Sequence, residues 1–554
     1  MARLARRTAY LLGTLAGAAL SAQGVAVSLR PVGLPASLSC FAGAIAAVAA
    51  DADAPPPLLV DGLGTSGIVP DTANEEARRW FDQGIRLIWA FDEMEAVRSF
   101  HQAQRLDPDC ALCFWGEAWA RGPTINLQPR TEELAAATAA ASRAAALGAR
   151  LSEHDRALIK AMQVRNAGGS DFRNKPYMKA MAKLAAAYPN DDAIAVIAAD
   201  AEMLVKGSDI KAGTNAQRLL ETVLRRNPDH SGAIHMYIHL TDWIDQEELA
   251  VPYAERLGRV APAASHLVHM PSHTFYWVGR YEDAARANVA AIAADNAYAA
   301  RVKPPESEYR TGLFAHNSHF AIESALIRGD GKTALAVSDI YRKRFPEGED
   351  DQRLRYRRSV TWYAAGRHGD VAEVLGMAEP SSALMRAMRH YARGEALARK
   401  GDSGAVAAEA AAIAKLRAGP ESLGSENADA LTEVVQHVLE GRSAMLAGNF
   451  AAAATAYRSA MNVQESAGFN SDPPPFWYSA RRSLAAATLA AGDAEGAKRQ
   501  LAASLAKWPG DPLALYLLSK AEAKLGQQAD SAAHLARARG LWAGDVEAMP
   551  LPLI

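Results

Sequence analysis

One frame of small residues recurs along this chain and limits what it can fold into. In "GIRLIWAFDEMEAVRSFHQAQRLDP" Ala96, Ala103 and Pro108 follow Gly84 by 12, 19 and 24 residues. Gly441 stands ahead of Gly448, Ala453 and Ala460 by 7, 12 and 19, and Ala485 ahead of Gly492, Ala497 and Pro509 by 7, 12 and 24. Gly279, Ala284 and Ala291 occupy the same frame in "VGRYEDAARANVAAIAAD". Small side chains at such points let paired helices touch, and a proline after the second helix stops it. A hairpin of this size cannot bury its own apolar face, so successive hairpins must stack. With 554 residues the chain is too long for one ordinary core, and stacking accommodates that length. Alanine-rich runs such as "LAAATAAASRAAALGA" favour helix, while strand-like alternation of Val, Ile and Thr is scarce.

These residues resemble the tetratricopeptide repeat (TPR) family, whose unit is a helix pair of about 34 residues. The resemblance runs over roughly residues 74–542, in about eleven units of uneven quality. It implies an all-α fold, a right-handed superhelical solenoid of antiparallel helix pairs. It implies no particular function, since such arrays mostly build binding surfaces. A protein or peptide partner in the concave groove is therefore one expectation. The units divide into N-terminal (74–230), central (231–345) and C-terminal (346–542) blocks, followed by a tail at 543–554. In the central block the extra residues "DNAYAARVKPPESEYR", with two prolines, predict a loop at 295–310 that could serve as a lid. A smaller insertion, "NAGGSDFRNKP", falls near residue 170.

The first fifty residues read as a targeting segment and 51–73 as a flexible linker. "MARLARR" is cationic, and "TAYLLGTLAGAAL" is apolar but short for a membrane span. A second apolar stretch, "CFAGAIAAVAA", ends in a small-x-small pattern, which places cleavage near Ala50 in preference to Ala22. The mature chain is expected in the periplasm or outside the cell, without a membrane span. Net charge is −2 and no Lys/Arg run occurs beyond the first residues, which argues against a nucleic-acid partner. Of three cysteines, Cys40 is expected to leave with the leader if cleavage falls near Ala50. Cys110 and Cys113, a C-x-x-C in "DPDCALCFWG", remain as a disulfide or a soft-metal site.

The histidines are uneven. Seven of the fourteen lie between 235 and 319. In the first helix of each unit, positions six before, three before and one after the small residue share one face, the face that lines the groove in the family. In the unit aligned on Ser272 those slots hold His266, His269 and His273; on Ile322, His316, His319 and Glu323; on Ile238, Gly232, His235 and His239. The unit aligned on Gly116 holds Cys110, Cys113 and Glu117.

Single buried histidines are commonly core residues bonded to a carbonyl. Seven on one face, without metal or carboxylates among them, would suffer desolvation and mutual repulsion on protonation. The pattern therefore predicts a transition-metal site of His235, His239, His266, His269, His273, His316, His319 and Glu323, mononuclear or dinuclear. Imidazole suits copper or zinc, and an exported His-rich site favours copper. Neither H-x-x-x-H pair carries the glutamate of H-E-x-x-H, which argues against zincin chemistry. Asp242 and Tyr276 extend the same faces, Asp242 as an acceptor that could orient an imidazole and Tyr276 as a proton donor. Two functions remain open: a metallochaperone or metalloenzyme, and a scaffold that binds a peptide or partner protein without metal.

Overall fold

In the computed structural model the described residues are 43–45 and 57–554, except 130, 170, 306, 349–351 and 469–471. Apart from Gly43–Ile45, the leader and its cleavage point lie outside them. Gly43–Ile45 pairs in parallel with Leu127–Pro129, and otherwise α-helices with short 3₁₀ turns follow one another from Glu75 to Leu541. Each packs chiefly on its neighbours in sequence, giving antiparallel pairs. The architecture is all-α and TPR-like. No described helix is long and apolar enough to cross a membrane.

The first pair shows why the frame of small residues exists. Asn74 caps Glu75–Trp89 by accepting from the backbone N–H of Glu76 and Ala77. Its partner Glu93–Leu106 stops just before Pro108. The ring of Phe100 on that partner fills the space between Gly84 and Gly116. A Cβ on Gly84 would lie 2.6 Å from the ring, and one on Gly116 2.4 Å. Only glycine lets one aromatic ring pack against both flanking helices at this distance.

Two sequence expectations fail here. Residues 57–73 form a docked strap rather than a flexible linker. Gly62 accepts from Ala263 N–H at 2.9 Å, Gln83 binds both Leu58 and Val60, and Leu63 is buried. The 295–310 loop is mostly helix. Tyr281–Val302 runs on to a left-handed stop at Lys303 (φ 49°), and a new helix starts at Glu308. "NAYAARV" contains good helix formers and the prolines come only after it, so the breakers end a helix instead of creating a long loop. The 543–554 tail is anchored. Ser483 donates to the Ile554 carbonyl at 2.6 Å, Arg367 to Leu553 at 2.6 Å and Arg442 to Pro552 at 3.0 Å, and Ile554 is fully buried. The insertion near 170 is a turn between Glu153–Asn166 and Asn174–Ala187.

Contacts also run across the array. Tyr309 donates to the Ala90 carbonyl at 3.1 Å and Tyr298 to Glu95 at 3.3 Å, joining the central helices to the first pair. Ala543 N–H donates to the Arg328 carbonyl at 2.7 Å, and Tyr363 donates to Pro475 at 2.8 Å, tying in the C-terminal third. One continuous apolar core therefore extends from Val60 to Trp508. The histidines expected to line an open groove are buried.

Candidate metal centre

The helix Ser231–Trp243 carries His235 and His239 one turn apart, so their rings project together. The next first-helix is split: Ser265–His269 is followed, after Met270, by Pro271–Trp277. Pro271 lacks an N–H and is accommodated at the start of the second piece. His266 and His269 lie on one side of the break and His273 on the other. His316 and His319 lie on Glu308–Ile327.

The structure brings six of these histidines into two triads: His235, His239 and His266, and His269, His273 and His316. Each triad has a hub. His235 Nε2 lies 3.1 Å from His239 Nε2 and 3.0 Å from His266 Nε2. His269 Nε2 lies 3.0 Å from His273 Nε2 and 3.2 Å from His316 Nε2. The triads repeat one plan, an H-x-x-x-H pair closed by a histidine from the next first-helix, although the second pair spans the break at Met270. All six are at most 3% exposed. Burial, reinforced by neighbouring imidazoles, pushes His235 down to about 3 and holds His239, His266, His269 and His316 well below the ordinary imidazole value. At neutral pH these five rings are uncharged.

Hydrogen bonds on the far side of the rings assign the tautomers. His235 Nδ1 faces the Trp89 carbonyl at 2.6 Å, which can only accept, so Nδ1 carries the proton and Nε2 the lone pair. His269 Nδ1 faces Asn288 Oδ1 at 2.6 Å; Asn288 Nδ2 donates to Ala284, which assigns Oδ1 as the acceptor. His273 Nδ1 faces Asp472 Oδ2 at 3.3 Å. His316 is the exception, because Arg357 donates to its Nδ1 at 3.2 Å and leaves the proton on Nε2. One phenylalanine covers each triad. Phe91 lies 4.4, 6.1 and 5.5 Å between ring centroids from His235, His239 and His266. Phe320 lies 5.5, 5.0 and 5.5 Å from His269, His273 and His316.

The remaining sequence candidates fall outside the triads. His319 Nε2 meets Glu323 Oε1 at 3.2 Å, one turn beyond His316. Burial raises the Glu323 carboxyl well above its ordinary value against a smaller opposing effect of Tyr276. Burial likewise raises the Tyr276 phenol. Asp242 Oδ2 is 3.9 Å from His273 Nδ1, farther than Asp472, and burial and the Asp472 charge raise its carboxyl well above the usual range. Cys110 and Cys113 are joined in a disulfide at the start of Ala111–Ala120. Glu117 binds His101, Gln104 and Arg121; burial works against its charge, but these partners bring it down to about 2.

Phe91, Phe320, Asn288, Arg357, Asp472 and the Trp89 carbonyl escaped the sequence reading. Asp472 lies 199 residues from His273, and Phe91 sits in a turn. The three-slot frame contains none of them.

No family model and no curated protein sequence matches this chain. Solved structures similar to it include the TPR domain of P58(IPK), 13% identical, covering 81% of this chain and 98% of that one at a TM-score of 0.24. The human IFIT1 dimer with m7Gppp-AAAA is 14% identical and covers 86% of this chain and 92% of its own at a TM-score of 0.29. The repeat assignment rests on the helix pairing itself.

Proposed function

We propose that this TPR-like protein carries a resident centre of two transition-metal ions, one in each histidine triad, with copper preferred to zinc. The hub geometry carries this reading. His235 Nε2 has one lone pair, yet two ring nitrogens lie 3.0 and 3.1 Å from it, and a single lone pair accepts one good hydrogen bond. At the second hub, His269 and His273 bring two lone pairs to 3.0 Å. A cation uses all such lone pairs at once. Nitrogens about 2.0–2.1 Å from a common tetrahedral ion lie roughly 3.3 Å apart, close to the spacing here. Three neutral imidazoles without a carboxylate suit a soft or borderline ion of low charge, which favours copper.

Burial favours a resident ion over a chaperone's cargo, because a partner's ligands would have to reach rings that are almost fully covered. The disulfide supports an exported, oxidising location. Arg357 must turn away from His316 before the second ion binds through Nε2, so the first triad fills first.

The test is elemental analysis of the purified chain after copper or zinc loading. Two ions per chain are expected, falling to one in His235→Ala and one in His269→Ala, with His319→Ala unchanged. Metal content indifferent to both hub substitutions would overturn the reading and leave a metal-free scaffold for a protein or peptide partner.

A further inference from the structure

We infer that the two triads act as one unit whose substrate is dioxygen, reduced by two electrons when a copper(I) ion occupies each triad. The inference rests on the two-ion reading above and adds to it the identity of the small molecule.

Four observations converge on it. The triads are adjacent: His266 and His269 are three residues apart with ring centroids 5.8 Å apart, and His239 and His273 are 6.1 Å apart. Each triad offers three imidazoles, and three donors leave each ion a coordination position open, unlike the four-ligand closure of a structural zinc site. One apolar ring covers each triad, since Phe91 and Phe320 each lie against all three rings of one triad. Phe91 does so from a left-handed backbone conformation (φ 55°), which in a non-glycine residue persists only where the surrounding structure holds it. Finally, the narrow cleft that reaches His266, between Leu63, Asp92, Tyr309 and Arg310, has room for little more than a water-sized molecule. A cleft of that size admits a diatomic and rejects a peptide or a sugar.

The electron balance closes within the centre. Dioxygen enters between the ions, each copper(I) gives up one electron to become copper(II), and the O₂ unit reaches the peroxide level with its O–O bond intact. No proton and no further reductant is consumed in this step. The neutral ligands stabilise copper(I) before oxygen arrives. One ion alone can supply only one electron, so the second triad is required.

The experiment uses the full chain loaded anaerobically with copper(I) and then exposed to oxygen, with a zinc-loaded control. Copper content, oxygen uptake and the electron paramagnetic resonance spectrum are measured on the same sample. One O₂ taken up per two coppers, with no resonance signal because the two copper(II) spins couple, is the expected result. Two coppers per chain with no uptake, or with the signal of isolated copper(II), would overturn the inference and leave the two-ion reading intact. Failure to bind two coppers overturns both. His239→Ala and His273→Ala, each stripping one triad, should abolish uptake rather than halve it. If either variant fails to fold, the ratio measured on the unaltered chain decides alone.

Discussion

Glu93 shows most clearly how a single residue is governed by its surroundings. It is buried beside Asp92 and Asp200, and its carboxyl is pushed up to about 8, by burial first. The unfolded chain releases this proton above about 4.5, whereas the native state keeps it until about 8. Between those values the native state binds more protons, so this residue's contribution to stability falls as pH rises. The loss by pH 8 is on the order of 4–5 kcal/mol. Glu93→Gln, neutral throughout, should stay within about 1 kcal/mol of wild type at pH 5 and exceed it by several kcal/mol at pH 8. Urea denaturation at the two pH values measures this, and a constant difference would mean Glu93 is ionised in the fold. The sequence gives no warning of it, because "DEME" reads as an ordinary acidic helix start.

Between elements, two further contacts join the C-terminal third to the centre. Asp472 accepts from Trp277 Nε1 at 2.6 Å and from His273 Nδ1, holding that imidazole with Nε2 toward its triad. Such outer partners raise ligand basicity and fix ring orientation. Asp472→Ala should therefore weaken the second ion about 10- to 100-fold and leave the first unchanged, as read by chelator competition. Equal loss at both ions would show a general loosening instead. Gly279 and Gly510 meet backbone to backbone, and a Cβ on Gly510 would lie 2.1 Å from the Gly279 carbonyl oxygen. Gly510→Ala should cost about 1–3 kcal/mol, measured by denaturation, because backbone has no rotamer with which to yield. The glycine of the frame at 279 was visible in sequence. Its partner at 510 was not, since "WPGD" reads as a simple turn after a helix.

Across the whole molecule, the triads gather residues 235–316, and their outer bonds reach Trp89 at one end and Asp472 at the other. Metal bound only by the native fold should stabilise the assembly as a unit. Free ion at about 100 times Kd adds about 2.7 kcal/mol per site. Copper or zinc should raise the thermal midpoint of wild type and leave the His235→Ala/His269→Ala double variant unmoved; an equal rise in both would place the ions elsewhere. The small-residue frame and the phase of the histidines were enough, by themselves, to determine helix pairing and to put six eventual neighbours on equivalent faces. Both follow from local periodicity, because 3.6 residues per turn fixes which side chains share a face. Only the tertiary structure decided that those faces form two triads with His319 and Glu323 left aside. It also decided that Phe91, Phe320 and Asp472 complete their surroundings and that the linker and tail are docked. These depend on how far the stacked pairs curl, a sum of small inter-helix angles in which no single residue type is diagnostic.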